Sequence, residues 1–369
     1  MLLLVVSLAG LAVTWLVYPA SIFALASFRR PASRKMPETL PLVSAVLATS
    51  NDAVTIRRRV LNLLASRYPV DRLEVIVAID AARPGATADE LADIDARVRV
   101  VAGDPPGGKA AALNAGVREA RGEVGVFADA AQSFAEDAVV ELVSALRDPA
   151  VAAVSGALEV GGDGSSNLSD KYWKFERALR AAEARVHSAV GVTGAIYAMR
   201  RNLWEPLPAA LILDDVYTPM RLAAAGWRIR FAVQARAHDP RRFAPAEEYR
   251  RKVRTLTGVI QLCAWLPIVL NPLRNPIWVQ FVCHKLLRLL TPYFLLLGVI
   301  GAAWIGITRL SADQLRLVLL PMLVVAAVAL GVPRVRDAAK ARLVWMFALQ
   351  GAVVVATVNG ARGRWNVWQ

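Results

Sequence analysis

The chain has 369 residues, of which 56% are hydrophobic and 20% are charged, and its formal net charge is +14. This composition excludes a disordered or fibrous protein and is more apolar than that of ordinary soluble enzymes. An apolar and basic chain is typical of a membrane protein whose positive segments face the cytoplasm. Nucleic-acid binding is the alternative explanation of the charge, but no zinc-finger spacing or single-strand platform accompanies it, so no nucleic acid partner is expected.

The first 28 residues are predicted to form a transmembrane anchor. Residues 2–28 carry no charge and are long enough to cross a hydrocarbon core of ~30 Å. A secretory signal peptide is the alternative, but such a peptide begins with basic residues, and here the basic residues follow the apolar run. These are Arg29, Arg30, Arg34 and Lys35. That order indicates an uncleaved anchor whose C-terminal end lies in the cytoplasm.

Residues 36–254 are predicted to form a globular α/β domain. Apolar runs of strand length lie at residues 42–49, 73–79, 98–102 and 124–128, and helical patterns lie at 53–66, 110–120 and 136–147. This alternation predicts a mixed, mostly parallel sheet that helices cover on both faces. Ligands bind such sheets beyond the carboxyl ends of the strands, so the residues that follow each strand are of most interest.

Acidic residues follow two of these strands, and a glycine pair with a lysine lies between them. Asp80 follows the second strand, Asp129 follows the fourth, and Gly107-Gly108-Lys109 opens a predicted helix. Backbone N–H groups and a cation at a helix start favour phosphate binding, although the spacing is not that of a Walker A motif. An aspartate after a strand is often only a helix cap. The phosphate site is therefore predicted from the two aspartates and the Gly-Gly-Lys together.

Two adjacent carboxylates, Asp214 and Asp215, follow an apolar stretch further along the chain. Buried carboxylates are costly unless they bind a cation, form ion pairs or change their pKa. One of them is therefore a candidate general base with a raised pKa. The alternative is a helix N-terminus, where acidic residues interact favourably with the helix dipole, and both interpretations can hold together.

A basic segment separates this domain from the apolar end of the chain. Its members are Arg241, Arg242, Arg250, Arg251, Lys252 and Arg254. A solvated surface, contact with lipid headgroups and bidentate binding of a diphosphate are the three alternatives. Residues 255–285 are expected to form interface helices, because Pro267 and Pro272 interrupt the apolar stretch; a further membrane span is the alternative.

About three transmembrane helices are predicted within residues 286–361. Uncharged stretches lie at 289–308, 317–332 and 343–361. The basic loop between the last two is expected in the cytoplasm, which leaves the tail, residues 362–369, outside. Arg362 and Arg364 in that tail conflict mildly with this topology. The two cysteines, Cys263 and Cys283, stand in apolar runs, so we expect core residues and exclude a disulfide framework.

Histidine ligation is not predicted. His187 and His238 have no His or Cys neighbours at ligand spacing, so the sequence gives no indication of a zinc site.

Taken in order, these features resemble a family 2 glycosyltransferase with the GT-A nucleotide-sugar fold. The resemblance covers about residues 40–290. Residues 108–116 match nearly all of the family's Gly-Lys-Ala-x-Ala-Leu-Asn-x-Gly stretch, and the second aspartate of the 214–215 pair matches the family's base. The resemblance implies a GT-A domain with transmembrane helices at both ends of the chain.

The resemblance also implies roles for individual side chains. Donor or nucleotide binding would fall to Asp80, Lys109, Asn114, Asp129, Arg251 and Arg254. The transferred sugar and acceptor would lie at Thr193 and Gly194, and Asp129 would hold Mg²⁺ or Mn²⁺. Catalysis would fall to Asp215 as general base, with Asp214 beside it.

Three positions depart from the family pattern. The metal motif is commonly Asp-x-Asp, and Ala131 stands at its third position, so one metal ligand is absent. The Gln-x-x-Arg-Trp string of processive synthases does not occur, which puts processivity and a polymer pore in doubt. Asp80 is followed by Ala81 and Ala82 where the family usually has Gly-Ser.

The activity that the resemblance implies is inverting transfer of a sugar from a nucleotide-diphosphate sugar, with UDP as the implied nucleotide. The acceptor is expected to be lipid-linked or a polysaccharide, at the cytoplasmic face of the cell membrane, where membrane lipids are further partners. Three alternatives stay open: a processive polysaccharide synthase, a catalytically inactive partner subunit that binds sugar nucleotide, and a transporter or scaffold with a basic cytoplasmic domain.

Overall fold

The structure is a computed structural model that describes residues 1–29, 39–160, 168–241 and 244–367. Arg30, Arg34, Lys35 and Arg242, which the sequence analysis singled out, lie outside the described residues. The described chain divides into two compact units. One comprises Met1–Ala20, Ala244–Ile260 and Val282–Gln369, and the other comprises Ser21–Phe243 and Gln261–Phe281.

The second unit contains a single mixed sheet, built in the described residues from eight strands. They are β1 Val43–Thr49, β2 Leu73–Ile79, β3 Val98–Ala102, β4 Val124–Ala128, β5 Ser133–Phe134, β6 Val151–Val160, β7 Ile196–Arg200 and β8 Arg228–Asp239. Their order across the sheet is β3-β2-β1-β4-β7-β6-β8-β5. The first four strands confirm the sequence prediction; the last four were not predicted.

Parallel pairing builds the half of the sheet that was predicted. β1 lies between β2 and β4 and runs parallel to both, while β3 pairs parallel to β2 on the outer side. All seven residues of β1 are buried. β7 joins this half to the remaining strands by antiparallel pairing with β4 and β6, and β6 pairs parallel to β8. The carboxyl ends of β1, β2 and β4 therefore lie at one edge of the sheet.

Helices of the two units precede these strands, separate them or follow them along the chain. Their bounds are α1 Leu2–Ala12, α2 Tyr18–Ser27, α3 Ala53–Leu64, α4 Lys109–Glu119, α5 Ala138–Ala145, α6 Leu168–Val186, α7 Asp214–Ala224, α8 Pro245–Trp265, α9 Trp278–Phe281, α10 Leu287–Leu289, α11 Thr291–Arg309, α12 Ala312–Gly331 and α13 Pro333–Ala361. The helices predicted at 53–66, 110–120 and 136–147 correspond to α3, α4 and α5, each with an earlier end.

Alternating side chains give the sheet two apolar faces. Val43, Ala45 and Leu47 belong to a large buried cluster that includes Ile56 of α3. On the opposite face α4 approaches closely because Gly116 has no side chain: a Cβ there would lie 2.7 Å from Cγ1 of Val46. Side chains that alternate along a strand point to opposite faces, so one strand supplies both layers of core.

α8 begins earlier than the sequence suggested. The apolar pattern predicted a helix from residue 255, whereas the helix starts at Pro245 and includes the basic residues 250–254. Glu247 and Glu248 lie in its first turn, where carboxylates interact favourably with the helix dipole. Arg250, Arg251, Lys252 and Arg254 of the basic segment are therefore helical.

In the first unit, α1 packs against α11. Ser7 of α1 faces Gly298 of α11, and a Cβ added at Gly298 would lie 2.6 Å from Oγ of Ser7. The indole N–H of Trp15 donates to Oγ1 of Thr291 at 3.2 Å. Among the described residues, two helical segments are long and apolar enough to cross a membrane by length and composition: Leu2–Ser27 and Thr291–Arg309. A shorter apolar helix covers Met346–Ala361.

Candidate active site

The candidate site lies at the sheet edge where β2 and β4 end and where α4 and α7 begin. Asp80 directly follows β2, and Asp129 directly follows β4. Lys109 is the first residue of α4, and Asp214 is the first residue of α7. The chain topology thus brings together side chains that lie far apart in the sequence, as expected for the carboxyl end of a parallel sheet.

Asp80 fixes the glycine turn that precedes α4. Its Oδ1 accepts hydrogen bonds from the N–H groups of Gly108, at 2.7 Å, and Ala82, at 2.9 Å. Gly107 has a φ of +91°, and a Cβ there would lie 2.4 Å from the Cβ of Ala82. Only glycine tolerates this combination of backbone angle and close approach. Gly108 faces open space and offers no capping side chain, which leaves room for a ligand at the start of α4.

Lys109 links two carboxylates that come from different elements. Its Nζ lies 3.1 Å from Oδ1 of Asp129 and 3.5 Å from Oδ2 of Asp214. Asp214 is only 7% exposed, so the ammonium compensates part of the cost of its burial. The backbone oxygen of Asp129 also accepts a hydrogen bond from Nε of the buried Arg59 at 3.0 Å. The Lys109 ammonium therefore holds the end of β4 and the start of α7 together.

Charge interactions outweigh burial at this ion pair. Burial would lower the pKa of Lys109, but Asp129, Asp214 and Asp215 raise it, so the side chain stays protonated. Burial would raise the pKa of Asp129, yet the Lys109 ammonium, with Arg241 and Arg59, holds it below its usual range. Both groups are therefore charged at neutral pH.

The aspartate pair lies at the N-terminus of a helix, which was the alternative interpretation of this motif in the sequence analysis. Asp214 and Asp215 lie in the first turn of α7. The loop before them is held by the buried side chain of Gln261. Its Oε1 accepts from the N–H of Ile212 at 2.9 Å, and its Nε2 donates to the oxygen of Ala210 at 3.1 Å. This clamp fixes where α7 starts and hence where the two carboxylates stand.

Asp215 is half-buried and has an unusual acidity. Burial and then the neighbouring Asp214 raise the pKa of its carboxyl to about 6, while Lys109 and Arg180 lower it. The N–H of Val192 donates to its backbone oxygen at 2.8 Å. A carboxylate with a pKa close to neutrality is well suited to accept a proton during a reaction.

The segment that contains Thr193 and Gly194 packs directly on Asp215. A Cβ added at Gly194 would lie 3.1 Å from Oδ2 of Asp215, so glycine permits the close approach. Thr193 is turned away from the carboxylate: its Oγ1 donates to the oxygen of Gly156 at 3.1 Å, and its N–H donates to Oγ of Ser155 at 2.9 Å. Gly194 is thus the residue of this pair that shapes the surroundings of Asp215.

Several residues of this region were missed by sequence reasoning. Arg180 of α6 contacts the Gly191–Thr193 turn, and the buried Tyr197 stacks on Phe127 with ring centroids 4.5 Å apart. Burial raises the pKa of the Tyr197 hydroxyl, and the negative charges of Asp214, Asp215 and Asp129 raise it further. No spacing pattern reveals these contacts.

Asn114, Arg251 and Arg254 are the other predicted donor residues. Both amide atoms of Asn114 are engaged by the backbone of Leu207: Oδ1 accepts from its N–H at 2.8 Å, and Nδ2 donates to its oxygen at 2.9 Å. Arg251 and Arg254 lie on α8, within the residues that belong to the first compact unit. The close cluster of the second unit comprises Asp80, Lys109, Asp129, Asp214, Asp215 and Gly194.

The oxygen donors of this site suit a hard divalent cation only in part. Among the described residues, no group of three or more His, Cys, Asp or Glu side chains could hold a metal ion. Asp129 offers one carboxylate, and Ala131 offers none. Mg²⁺ commonly binds through one or two carboxylates with substrate phosphates and water completing its shell. The donor set therefore fits a metal that arrives with a diphosphate.

Two sequence models of protein families match the chain. The model for glycosyl transferase family 2 matches residues 44–207, and the model for glycosyl transferase family group 2 matches residues 126–330. Two curated relatives are similar. A probable glycosyltransferase, YdaM of Bacillus subtilis, is 28% identical over 54% of this chain and 51% of its own length. Glycosyltransferase AglE of Haloferax volcanii is 25% identical over 62% of this chain and 76% of its own length.

A solved structure resembles the whole described chain. It is the mannosyltransferase PcManGT from Pyrobaculum calidifontis in complex with GDP-Man and Mn²⁺, with a TM-score of 0.68 and 21% identity. The likeness covers 98% of this chain and 99% of that one, and it shows a shared fold, the curled mixed sheet of GT-A glycosyltransferases. The chain spans about half the length of YdaM. Because the family group 2 model matches more than half of the chain, this protein belongs to the family 2 glycosyltransferases.

Proposed function

We propose that the protein is an inverting, membrane-bound glycosyltransferase in which Asp215 is the general base. The donor is a nucleotide-diphosphate sugar, and the acceptor is lipid-linked or a polysaccharide at the cytoplasmic face of the membrane. The observation that carries this proposal is the half-buried Asp215 carboxylate, whose pKa is raised to about 6 next to a cluster of charged residues. Such a group is unprotonated at neutral pH and can still accept a proton readily.

The proposed reaction is a single displacement at the anomeric carbon of the donor sugar. An acceptor hydroxyl attacks this carbon, and its oxygen forms the new glycosidic bond while the bond to the diphosphate oxygen breaks. Asp215 takes the proton of the attacking hydroxyl, and the nucleoside diphosphate leaves with the bonding electron pair. Attack opposite the leaving group inverts the anomeric configuration.

The departing diphosphate needs positive charge around it. Lys109 and the start of α4 supply it from the chain, since an ammonium and backbone N–H groups converge there. A bound Mg²⁺ or Mn²⁺ at Asp129 would neutralise further charge on the diphosphate. Asp80 and Asn114 remain proposed nucleotide contacts, and Arg251 and Arg254 remain proposed diphosphate contacts.

The nucleotide and acceptor are finer points of the same proposal. The solved relative was complexed with GDP-Man and Mn²⁺, whereas the family resemblance favoured a uridine donor, so both nucleotides belong in a test. We assign residues 36–254 to the catalytic domain and 255–285 to interface helices. The acceptor and transferred sugar would meet beside Thr193 and Gly194.

The membrane assignment rests on apolar helices at both ends of the chain. Leu2–Ser27 and Thr291–Arg309 have the length and composition of membrane spans, and residues 286–361 would supply further spans. Basic residues after the first span favour a cytoplasmic catalytic domain. The absence of a Gln-x-x-Arg-Trp string from the sequence favours single transfer over processive synthesis.

The test is donor turnover by the full chain in nanodiscs. A panel of uridine and guanosine diphosphate sugars is incubated with Mg²⁺ or Mn²⁺ and a membrane lipid extract, and release of nucleoside diphosphate is followed. We expect turnover with one donor, a loss of roughly 100- to 10,000-fold in Asp215→Asn, the range typical of general-base removal, and loss with a chelator. Asp89→Asn, at an exposed carboxylate outside the site, is the matched control and should match the unaltered chain.

Product analysis then separates the alternatives. One added sugar supports single transfer, whereas a long polymer supports the synthase alternative. Saturable donor binding without turnover, even with lipid extract present, would favour the inactive partner subunit. Full turnover in Asp215→Asn would contradict the assignment of the base.

A further inference from the structure

Arg180 of α6 is a charged side chain that the proposed reaction does not use, although it reaches the active site. Its Nη1 donates to Oγ1 of Thr193 at 3.1 Å, and its Nη2 donates to the backbone oxygen of Gly191 at 3.3 Å. Nη2 also lies 3.3 Å from Oγ of the fully buried Ser155. A planar guanidinium with several donors can hold two acceptors of the turn and one of β6 in a fixed arrangement.

The turn that Arg180 holds is the one that packs on Asp215. Within it, the N–H of Val192 donates to the backbone oxygen of Asp215 at 2.8 Å. Gly194 approaches so closely that a Cβ there would lie 3.1 Å from Oδ2 of Asp215. A shift of this turn would therefore move the carboxylate or close the space beside it.

Arg180 also carries a charge that acts on the same carboxylate. The titratable and charged groups that face Asp215 are Asp214, Lys109, Arg180 and Asp129. The two other aspartates and burial favour the protonated form of Asp215, and the two cations favour the ionised form. The Nε of Arg180 is buried and makes no hydrogen bond to any of the described residues. Arg180 is itself half-buried, and the carboxylates that act on its guanidinium are Glu176, Asp215 and Glu183.

We propose that Arg180 is a positioning residue for sugar transfer, which fixes the Gly191–Thr193 turn against Asp215 and sets a positive charge beside the carboxylate. This inference rests on the proposed function, because it concerns the base assigned there. The role assigned to Arg180 is exerted through Asp215.

The two parts of this role predict different changes in the pH dependence of turnover. Loss of the positive charge favours the protonated form of Asp215, so the pH below which activity falls should rise. Loss of the hydrogen-bond geometry alone should reduce the rate at every pH and leave that limit where it is.

Two substitutions separate these effects. Arg180→Gln removes the charge, and Arg180→Lys keeps it but lacks the forked donors. With kcat/KM measured from pH 5 to 9 on the full chain in nanodiscs, we expect the acid limb of Arg180→Gln to move up by roughly one pH unit. In Arg180→Lys we expect the limb to stay in place and the rate to fall by roughly 10- to 100-fold.

Arg177→Gln is the matched control, because it removes a cation from the same helix. Arg177 lies 3.9 Å from Glu159 in an ion pair and is not among the groups that face Asp215. Its pH profile should equal that of the unaltered chain. Ser155→Ala serves if Arg180→Gln does not fold: it loosens the turn without a change in charge, so it should lower the rate and leave the acid limb in place.

An unshifted acid limb in Arg180→Gln would overturn the proposal, as would equal rates in Arg180→Lys and the unaltered chain. If Arg180→Gln does not fold, a normal rate in Ser155→Ala would overturn it. Asp215→Asn, measured alongside, separates this result from the proposed function. Turnover in Asp215→Asn would refute the base itself, whereas an inactive Asp215→Asn with unaffected Arg180 variants would refute only the role of Arg180.

Discussion

Individual residues of the site are held by partners that no local sequence pattern indicates. Asp80, Asp129 and the 214–215 pair could be proposed from the sequence because each follows a strand or opens a helix. Lys109 could be proposed as a phosphate contact, but its bridge between Asp129 and Asp214 could not. Gln261, which fixes the start of α7, is 49 positions from the nearer residue it contacts. Contacts of this kind depend on tertiary packing, and the spacing of residues in the sequence does not reveal them.

The raised pKa of Asp215 has a consequence for stability. Because this pKa, about 6, lies above the usual 3.8, the folded state binds protons more tightly than the unfolded state does. The charged carboxylate therefore destabilises the fold above pH 6, and this penalty disappears as the pH falls toward 4. Asp215→Asn should unfold at a higher temperature than the unaltered chain at pH 8, with a gain of up to about 3 kcal/mol.

Thermal unfolding in nanodiscs at pH 8 and pH 5 measures this effect. The advantage of Asp215→Asn should shrink at the lower pH, and the exposed control Asp89→Asn should show no advantage at either. A lower unfolding temperature for Asp215→Asn at pH 8 would mean that the carboxylate stabilises the fold.

At the scale of elements, the parallel half of the sheet could be predicted and the other half could not. β1, β2, β3 and β4 are mainly apolar runs, and helices separate most of them, which is the pattern that predicts parallel strands. β6, β7 and β8 pair across long stretches of chain, and β5 has only two residues. In β8 the alternation of arginines with apolar residues at 228–231 was a usable signal. The early start of α8 was hidden because its first turns are polar.

The turn between Asp80 and α4 allows a test at this scale. Gly107 and Gly108 have nearly equal φ values, +91° and +89°, so alanine should cost about 1–3 kcal/mol of backbone strain at either position. Only Gly107→Ala would also clash with Ala82, whose N lies 2.5 Å from the added Cβ. We expect a larger loss of thermal stability in Gly107→Ala than in Gly108→Ala.

Differential scanning fluorimetry of both variants measures this loss. Gly108→Ala is the matched control because its added Cβ faces open space. Equal losses in the two variants would show that backbone strain alone accounts for the glycine pair.

At the scale of the whole molecule, the chain builds its units from segments that are distant in sequence. The first unit contains both ends of the described chain, and the second contains the sheet. Hydropathy identified the apolar segments in advance, but it could not identify which of them pack together. Small residues at the α1–α11 contact determine this, because they allow the two backbones to approach closely.

Gly301 provides the corresponding prediction. An added Cβ there would lie 2.8 Å from the backbone N of Leu4, so Gly301→Ala should force α1 and α11 apart. Alanine otherwise favours helices by about 0.5–1 kcal/mol over glycine. Gly331→Ala in α12 meets nothing within 4 Å and should be neutral or stabilising. Thermal unfolding in detergent would contradict this account if Gly301→Ala were as stable as Gly331→Ala.

The central position of β1 also determines how the protein should exchange its amide hydrogens with solvent. β1 is buried along its entire length and is hydrogen-bonded to a neighbour on each side, so its amides reach water only when the whole sheet opens. β3, at one edge and only partly buried, should exchange by local opening. Asp80 and Asp129 follow the two direct neighbours of β1. The amides that exchange most slowly should therefore lie in β1, between the two strands that end at Asp80 and Asp129. Donor binding should slow exchange in the loops that follow these two strands.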